Sequence, residues 1–317
     1  MASQAVDPAA FRAFEQAGWE SIPRAYQDAF GTLTTQAIGP LLDATRVGPG
    51  VRVLDVATGP GYVASAAAQR GATAVGVDFS AAMLAEARRH SPAVDFREGD
   101  AEALLFPDAS FDAVVMNFGL LHLGRPEEAL AEASRVLRPG GRIAFTVWAK
   151  PEEAVAFGIV LRAIQHLGRL DVPLPPGPPF FRFSDSEECR RVLGELGFHT
   201  PEVVRVPQVW RLGSLDALFD SMRGSTVRTA GLLRRRPRRW TRSAPTSATR
   251  SEPTSAAARW SCRCRPSSPP RPGLERPTPA NRCPGRPIAR GVDAPTVCVR
   301  PIMPWITGGP RGQLAKR

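Results

Sequence analysis

A glycine-rich turn is the first place in the sequence where residue types and spacing indicate ligand binding. An apolar run that ends at Asp55 leads through Gly59 and Gly61 into a stretch of small residues typical of a helix. Glycines let the backbone approach a ligand closely, and the N-terminus of a helix offers free N–H groups to a carboxylate or phosphate. A tight strand-to-helix turn that binds nothing has the same pattern, so both interpretations stay open.

A second acidic residue follows the next apolar run. Asp78 lies 23 positions after Asp55. In nucleotide-binding α/β folds, an acid at the end of this strand accepts hydrogen bonds from the two ribose hydroxyls. An NAD-binding domain has the same geometry, so the two motifs together indicate a nucleotide cofactor without identifying it.

Residues 98–112 and 132–141 carry a more specific pattern. They contain the short motifs Asp100-Ala101, Phe106-Pro107, Ser110-Phe111-Asp112 and Leu137-Arg138-Pro139-Gly140-Gly141. Together these motifs resemble class I S-adenosylmethionine-dependent methyltransferases of the ubiquinone/menaquinone-biosynthesis-like group, methyltransferase type 11. The resemblance extends over residues 14–223. It implies transfer of a methyl group to a small-molecule acceptor by in-line displacement, with S-adenosyl-L-methionine as the cofactor.

The resemblance also implies which residues meet the cofactor. They are Asp55, Ala57, Gly59, Gly61, Asp78, Phe79, Met83, Asp100, Ala101 and Asn117. The glycine-rich turn is assigned to the methionine end, Asp78 to the ribose and Asp100 to the adenine. Phe79 and Met83 would pack on the adenine face, although their spacing is equally typical of ordinary core. The family often has Gly at the position of Ala57, whose methyl group narrows the space for the methionine arm.

His122 is the candidate catalytic residue. It follows the fourth predicted strand, and the carboxyl end of that strand borders the ligand crevice in such sheets. A histidine there can act as a general base that removes a proton from the methyl acceptor. The alternative is a histidine that is only hydrogen-bonded into its loop.

Short apolar runs alternate with amphipathic stretches between residues 51 and 150, the pattern of a parallel sheet covered by helices. The predicted strands are 51–56, 73–78, 94–98, 111–117, 142–148 and, later in the chain, 200–210. The predicted helices are 61–70, 80–90, 126–137, 151–167 and 184–196. We therefore expect an α/β, Rossmann-like fold with a mostly parallel sheet and helices on both faces.

Composition divides the chain into four predicted regions. They are an N-terminal helical cap (1–46), an S-adenosylmethionine-binding α/β core (47–150), acceptor-side helices with a late strand (151–233) and a tail rich in Arg, Pro and Ser (234–317). Residues 1–233 have a net charge of −5, whereas residues 234–317 have a net charge of +16. The basic character of the chain therefore says little about the partners of its first 233 residues.

The tail differs from the rest of the chain in more than charge. It has 15 prolines and only nine Leu, Ile, Val and Met residues in 84 positions, too little apolar surface to offset the entropy of ordering. We therefore expect disorder. Residues 260–270, written in G/C-ending codons and read two nucleotides later, would encode an ordinary strand-like segment that resembles the last strand of the family. We interpret the tail as the product of a frameshift near Leu233, which leaves the sheet without its native final strand.

The remaining features limit partners and alternatives. No segment has about 18 uninterrupted apolar residues, and four of the five cysteines lie in the tail without paired spacing. We expect a cytoplasmic protein with no membrane span, no metal and a small-molecule partner, and we disfavour nucleic-acid binding by the tail.

Two alternative functions stay open. One is an NAD(P)-dependent oxidoreductase, which is disfavoured because neither tyrosine begins a Tyr-x-x-x-Lys pair. The other is a catalytically impaired S-adenosylmethionine-binding protein.

Overall fold

The computed structural model describes residues 6–167, 174–234, 291–293 and 296–302. The strands in these ranges are β1 Arg52–Val56, β2 Thr73–Asp78, β3 Asp95–Glu98, β4 Phe111–Asn117, β5 Leu137–Trp148, β6 His199–Val206, β7 Val209–Arg211, β8 Gly291–Asp293 and β9 Thr296–Ile302. Within the described residues, seven of them form one sheet in the order β3-β2-β1-β4-β5-β9-β6. β7 and β8 pair separately.

The first five strands are parallel, which confirms the predicted Rossmann-like α/β fold. β1 pairs with both β2 and β4, β2 pairs with β3, and β4 pairs with β5. The strand order reverses between β1 and β4, and ligands of such sheets bind at the carboxyl ends of the strands beside this switch point. Asp55, Asp78 and Asn117, each at or next to the end of its strand, therefore lie at one edge of the sheet.

Helices cover both faces of the sheet, as predicted. They are α1 Pro8–Ser21, α2 Pro23–Tyr26, α3 Thr32–Thr34, α4 Ile38–Ala44, α5 Tyr62–Gln69, α6 Ala81–His90, α7 Pro126–Val136, α8 Val155–Leu167, α9 Ser186–Glu195, α10 Leu215–Ser225 and α11 Arg228–Arg234. Leu54 and Val114 pack in the cluster that includes α7, α8 and α9, whereas Val53 and Val115 pack in the cluster that includes α4, α5 and α6. Within the described ranges, no helix is long and apolar enough to span a membrane.

Local chemistry explains where several elements begin and end. The side chain of Ser80 accepts a hydrogen bond from Met83 N at the start of α6, as a capping hydroxyl does. α7 ends at Val136, one residue before the predicted end, because the chain enters β5 at Leu137. The strand predicted at 200–210 is two strands, β6 and β7, and Pro207 between them has no N–H for a ladder.

A strand from the tail fills the position that was expected to be empty, so the predicted unpaired edge is wrong. β9 lies between β5 and β6 and pairs antiparallel with both, so that Val299 pairs with Phe145 on one side and Val203 on the other. The prediction of a disordered tail is wrong for residues 291–293 and 296–302, and the other tail residues lie outside the described part of the chain. The frameshift near Leu233 stays a prediction.

The residues of β9 explain how a tail rich in Arg and Pro supplies a strand. Four of its seven residues are β-branched, the type that favours extended backbone. Pro301 has no N–H to donate, and it lies where the ladder between β6 and β9 shifts register, between the pairs of His199 and Glu202. A local run of a few residues is therefore enough to fill the position, although the composition of the tail as a whole disfavours order.

We predict that Val299→Pro destabilises the protein. Proline removes an N–H from a strand paired on both sides, and the lost ladder hydrogen bond alone costs about 0.5–1.5 kcal/mol. We therefore expect the melting temperature to fall by several degrees. Thermal unfolding followed by circular dichroism measures the change. Val299→Thr is the matched control, because it keeps both the N–H and the branching at Cβ. Equal melting temperatures for Val299→Pro and wild type would show that β9 does not belong to the sheet.

Candidate functional site

A cavity opens at the carboxyl ends of β1, β2 and β4, with an empty volume of about 1300 Å³ that includes its mouth. Nine of the ten predicted cofactor residues line it, and so does His122. The nine are Asp55, Ala57, Gly59, Asp78, Phe79, Met83, Asp100, Ala101 and Asn117. The sheet edge thus brings together residues that are as far apart in the sequence as Asp55 and His122.

Two buried carboxylates form the floor of the cavity. Asp55 Oδ2 accepts hydrogen bonds from Thr58 Oγ1 at 2.5 Å and from Ala64 N at 3.0 Å. Asp78 Oδ2 accepts from Gly59 N at 2.7 Å, and its Oδ1 accepts from the backbone N–H two residues later at 2.9 Å. The acid of β2 therefore holds the glycine-rich turn that follows β1, so the two motifs found in the sequence form one structure.

Burial raises the pKa values of both carboxyl groups. The pKa of Asp55 rises to about 7 because of desolvation, opposed by the hydrogen bonds from Thr58 and Ala64. The pKa of Asp78 rises to about 6, again mainly because of desolvation. Oδ1 of Asp55 is buried and has no hydrogen-bond partner within the described chain. A cation or hydrogen-bond donor supplied by a ligand would satisfy this oxygen and favour the charged form.

Gly61 is the one predicted cofactor residue that is absent from the cavity wall. Its φ of +80° lies in the left-handed region, and a Cβ at this position would meet the ring of Phe96 at 2.6 Å and Ala87 Cβ at 2.8 Å. Gly61 thus lets the turn enter α5 and pack closely on its neighbours. The space above Gly59, in contrast, is open, since a Cβ there would meet no atom within 4 Å.

Ala57 and Phe118 have strained backbones at the cavity wall. Their φ angles are +54° and +58°, a region that costs an L-residue about 1–2 kcal/mol. Such strain concentrates at binding and catalytic sites. The methyl group of Ala57 points toward Gly119, where an added Cβ would lie 2.6 Å from it. The alanine that departs from the family pattern is therefore accommodated by a glycine 62 positions later.

Asn117 borders the cavity, but its side-chain amide is engaged within the protein. Its Nδ2 donates to the carbonyl of Thr34 at 3.2 Å, and its Oδ1 accepts from Thr146 Oγ1 at 2.6 Å. These bonds connect the ends of β4 and β5 to the N-terminal helices. Asn117 thus shapes the wall with both of its polar groups already bonded.

Helix α1 lies across the cavity and bonds to the segments that follow β2 and β3. Arg12 forms an ion pair with Asp100 at 3.1 Å, and Gln16 Nε2 donates to the carbonyl of Phe79 at 2.9 Å. Glu20 accepts from the first two N–H groups of α6 at 2.6 and 3.0 Å. These three residues are spaced by four, which places them on one face of the helix.

The same helix contributes a buried glutamate that contacts His122. Glu15 Oε2 lies 2.9 Å from His122 Nδ1 and 3.1 Å from Trp19 Nε1. The side chain of Glu15 is 0% exposed, and that of His122 is 18% exposed at the cavity. The loop histidine therefore belongs to a specific polar cluster that joins α1 to the segment after β4.

Aromatic side chains line another part of the cavity. They are Trp19, Tyr26, Phe30, Phe118, Trp148, Phe157 and Phe180. Phe118 stacks on Trp148 with ring centroids 4.1 Å apart, and Phe157 lies 5.1 Å from Trp148. This part of the cavity is apolar and suits a flat organic molecule.

Comparison with known proteins identifies the domain around this cavity. The model of the family described as "Methyltransferase domain" matches residues 54–145. Residues 54–145 form a class I methyltransferase domain. The match spans β1 to β5, so this methyltransferase domain includes Asp55, the glycine-rich turn, Asp78, Asp100 and His122.

Curated relatives agree with the domain match. Demethylmenaquinone methyltransferase of Renibacterium salmoninarum is 45% identical over 111 residues, which is 35% of this chain and 47% of the relative. The protein of the same name in Thermus thermophilus is 47% identical over 117 residues, 35% of this chain and 53% of the relative. The chain thus spans about half the length of the curated relatives it matches.

Among solved structures, an S-adenosylmethionine-dependent methyltransferase of Aquifex aeolicus is 19% identical in sequence to this chain. The match covers 64% of this chain and 94% of the solved chain, with a TM-score of 0.41.

S-adenosylmethionine is the cofactor of such a methyltransferase domain, and the residues present fit it. Asp55 Oδ1 is a buried hydrogen-bond acceptor without a partner in the described chain, so it can accept a hydrogen bond from the amino group of the cofactor. Asp78 accepts hydrogen bonds from the backbone N–H groups of Gly59, Phe79 and Ser80, which leaves acceptor capacity for a ribose hydroxyl because a carboxylate has about four acceptor sites. Within the described residues, no group of three or more His, Cys, Asp or Glu side chains is placed to hold a metal ion.

Sequence reasoning missed the polar face of α1. Arg12, Glu15, Gln16 and Glu20 follow one another at helical spacings, but residues 1–46 were predicted only as a helical cap and none of these side chains was assigned a role. The polar stripe was a visible signal. Its targets were not, because they lie 61 to 107 positions away in the sequence.

We predict that Asp55→Asn changes how stability depends on pH. The pKa of Asp55 is about 7 in the folded protein and about 4 in the unfolded chain, so the protonated carboxyl stabilises the fold. This stabilisation is complete below about pH 4 and is lost as the pH rises to about 7. Wild type should lose this stabilisation between pH 5 and pH 7.5, whereas the variant has no carboxyl group to titrate. The difference in free energy of unfolding, variant minus wild type, should therefore rise by on the order of 2 kcal/mol over this interval. Denaturant unfolding at both pH values measures it. Asp216→Asn, at an exposed position, is the control, and an equal response of both variants contradicts the assignment.

We also predict that Ala57 and Gly119 are energetically coupled. Gly119→Ala should cost about 1–3 kcal/mol through overpacking against the methyl group of Ala57. The loss should shrink when Ala57→Gly is present, by at least about 0.5 kcal/mol. A double-mutant cycle by denaturant unfolding provides the measurement. Part of the cost remains in the double variant, because Met116 also lies within 2.8 Å of the added Cβ, and strict additivity would refute the coupling.

Proposed function

We propose that this chain is an S-adenosylmethionine-dependent methyltransferase that acts on a small-molecule acceptor bound in the cavity. The observation that carries the proposal is the pair of buried carboxylates, Asp55 and Asp78, with spare acceptor capacity at the switch point of the sheet. Asp55 Oδ1 can accept from the amino group of the cofactor, and Asp78 can accept from its ribose. The comparisons give no support to the oxidoreductase alternative.

We assign the cofactor residues along the edge of the sheet. Asp55, Ala57 and Gly59 face the methionine end, with Gly61 acting through the shape of the turn. Asp78 accepts from the ribose. The adenine end is assigned to four residues that line the next part of the cavity, namely Phe79, Met83, Asp100 and Ala101.

The chemistry divides between the cofactor and the protein. When bound, S-adenosylmethionine supplies a methyl group that is already activated by a sulfonium sulfur. The protein must then hold the acceptor in line and exclude water, which the aromatic wall favours. His122 receives the proton of the acceptor where the acceptor has one to lose.

The acceptor is not carried over from the relatives. The family match ends at residue 145, whereas Trp148, Phe157 and Phe180 of the acceptor side lie beyond it. We infer a small, largely apolar acceptor from these aromatic residues, and nucleic-acid binding stays disfavoured. A cytoplasmic location stays a prediction, and a catalytically impaired binding protein is the second candidate, because it would keep the same cofactor residues.

Titration calorimetry tests the proposal. We expect S-adenosylhomocysteine to bind and NAD not to bind, because the family match and the curated relatives are methyltransferases. Asp78→Asn should weaken binding of S-adenosylhomocysteine by about 10-fold or more through loss of charge-assisted hydrogen bonds. Asp216→Asn should bind like wild type. Tight binding of NAD without any response to S-adenosylhomocysteine would overturn the proposal, and cofactor binding without methyl transfer to any small molecule would favour the impaired protein.

A further inference from the structure

The contact between Glu15 and His122 determines more than the position of a loop. Glu15 is fully buried, and its Oε2 is close to two nitrogen atoms, His122 Nδ1 at 2.9 Å and Trp19 Nε1 at 3.1 Å. An indole N–H can only donate, so Oε2 acts as an acceptor. With Oε2 as the acceptor, Nδ1 of His122 is assigned as the protonated ring nitrogen. The other nitrogen, Nε2, is left with its lone pair.

Nε2 of His122 is available to a ligand. Within the described chain it has no hydrogen-bond partner, and the side chain lines the cavity. The ring is also held in orientation, because Trp19 packs edge-on at 4.8 Å between centroids and Phe180 at 6.1 Å. Arg228, half-buried beside Phe180, interacts electrostatically with Glu15.

Other groups that line the cavity are less suited to accept a proton from the acceptor. Burial raises the pKa of Tyr26 to about 12, so its hydroxyl stays protonated. Asp100 is paired with Arg12, and Glu102 is paired with Arg125. Asp55 and Asp78 lie at the cofactor end. His122 is the group whose free lone pair faces the aromatic part of the cavity.

We propose that Glu15 is a positioning residue that holds His122 with Nε2 free as a general base, and that the acceptor is a small phenol-type molecule whose hydroxyl is methylated. The aromatic wall recognises the ring, and the base fits the hydroxyl proton. The inference rests on the proposed methyltransferase function and specifies its acceptor class. Neither the family match nor the names of the relatives assign a role to Glu15, which lies outside residues 54–145.

The step balances without any further reactant. The acceptor oxygen forms a bond to the methyl carbon while the bond between carbon and sulfur breaks, and that electron pair stays on sulfur. The hydroxyl proton passes to Nε2 of His122. The imidazolium that results is stabilised by the carboxylate of Glu15 at 2.9 Å and later releases the proton to solvent.

The tautomer of His122 provides a test that needs no acceptor. Nitrogen NMR of the full chain, at a pH where the imidazole is neutral, should show a protonated Nδ1 and a bare Nε2. Glu15→Met removes the acceptor at similar size, so the Nδ1–H form should lose its dominance. Glu15→Gln keeps an oxygen acceptor and should retain that form. Glu20→Gln, a neighbouring glutamate on α1 that does not contact His122, is the matched control.

A visible probe tests the acceptor class. 4-Nitrophenol, whose phenolate absorbs visible light, should show a larger phenolate fraction in the complex with S-adenosylhomocysteine than free at the same pH. His122→Phe and Glu15→Met should abolish the increase, and Glu15→Gln should reduce it because the imidazolium loses its carboxylate. Failure of the probe to bind would overturn the acceptor class. A wild-type His122 protonated on Nε2 would overturn the positioning role.

Binding of S-adenosylhomocysteine separates this inference from the proposed function. Variants at Glu15 should bind S-adenosylhomocysteine within about 3-fold of wild type, a difference of less than about 0.7 kcal/mol, because Glu15 does not contact the residues assigned to the cofactor. If wild type does not bind S-adenosylhomocysteine, the proposed function fails. If it binds while the tautomer or the probe behaves otherwise than expected, only the positioning role or the acceptor class fails.

Discussion

The burial of Asp55 and Asp78 is the constraint on which the cavity depends. An ionised carboxylate in a protein interior is costly unless donors surround it, and here the donors are backbone N–H groups and the hydroxyl of Thr58. The turn after β1 must therefore bring Gly59 onto Asp78, and α5 must begin where Ala64 N reaches Asp55. The shape of the cavity floor follows from this need.

Helix α1 applies the same principle to the mouth of the cavity. Its polar face finds partners on the segments after β2, β3 and β4, through Gln16, Arg12 and Glu15 in turn. One helix thus joins the cofactor end of the cavity to His122. Buried polar clusters of this kind are stable only when their members are bonded together, so the histidine and the helix position each other.

The sheet also shows how a strand can come from a segment of unfavourable composition. β9 has a β-branched run of only a few residues, yet it fills the position between β5 and β6 and pairs with both. Two strands would otherwise each present an open edge, which is unfavourable because their backbone groups lack partners. The order of these residues depends on the ladder that receives them and not on the average composition of residues 234–317.

The sequence by itself determined the parallel sheet, the helices on both faces, the glycine-rich turn and the residues at the strand ends, because periodicity and motif spacing are local. Its motifs and the family resemblance pointed to nine cofactor residues and His122 that line the cavity, where parallel strands bring their carboxyl ends to one edge. Only the tertiary structure decided that Gly61 faces its neighbours, that Gly119 accommodates Ala57, and that β9 completes the sheet. The contact of Glu15 with His122 is of the same kind, because it joins residues 107 positions apart through a packing arrangement that no local pattern contains.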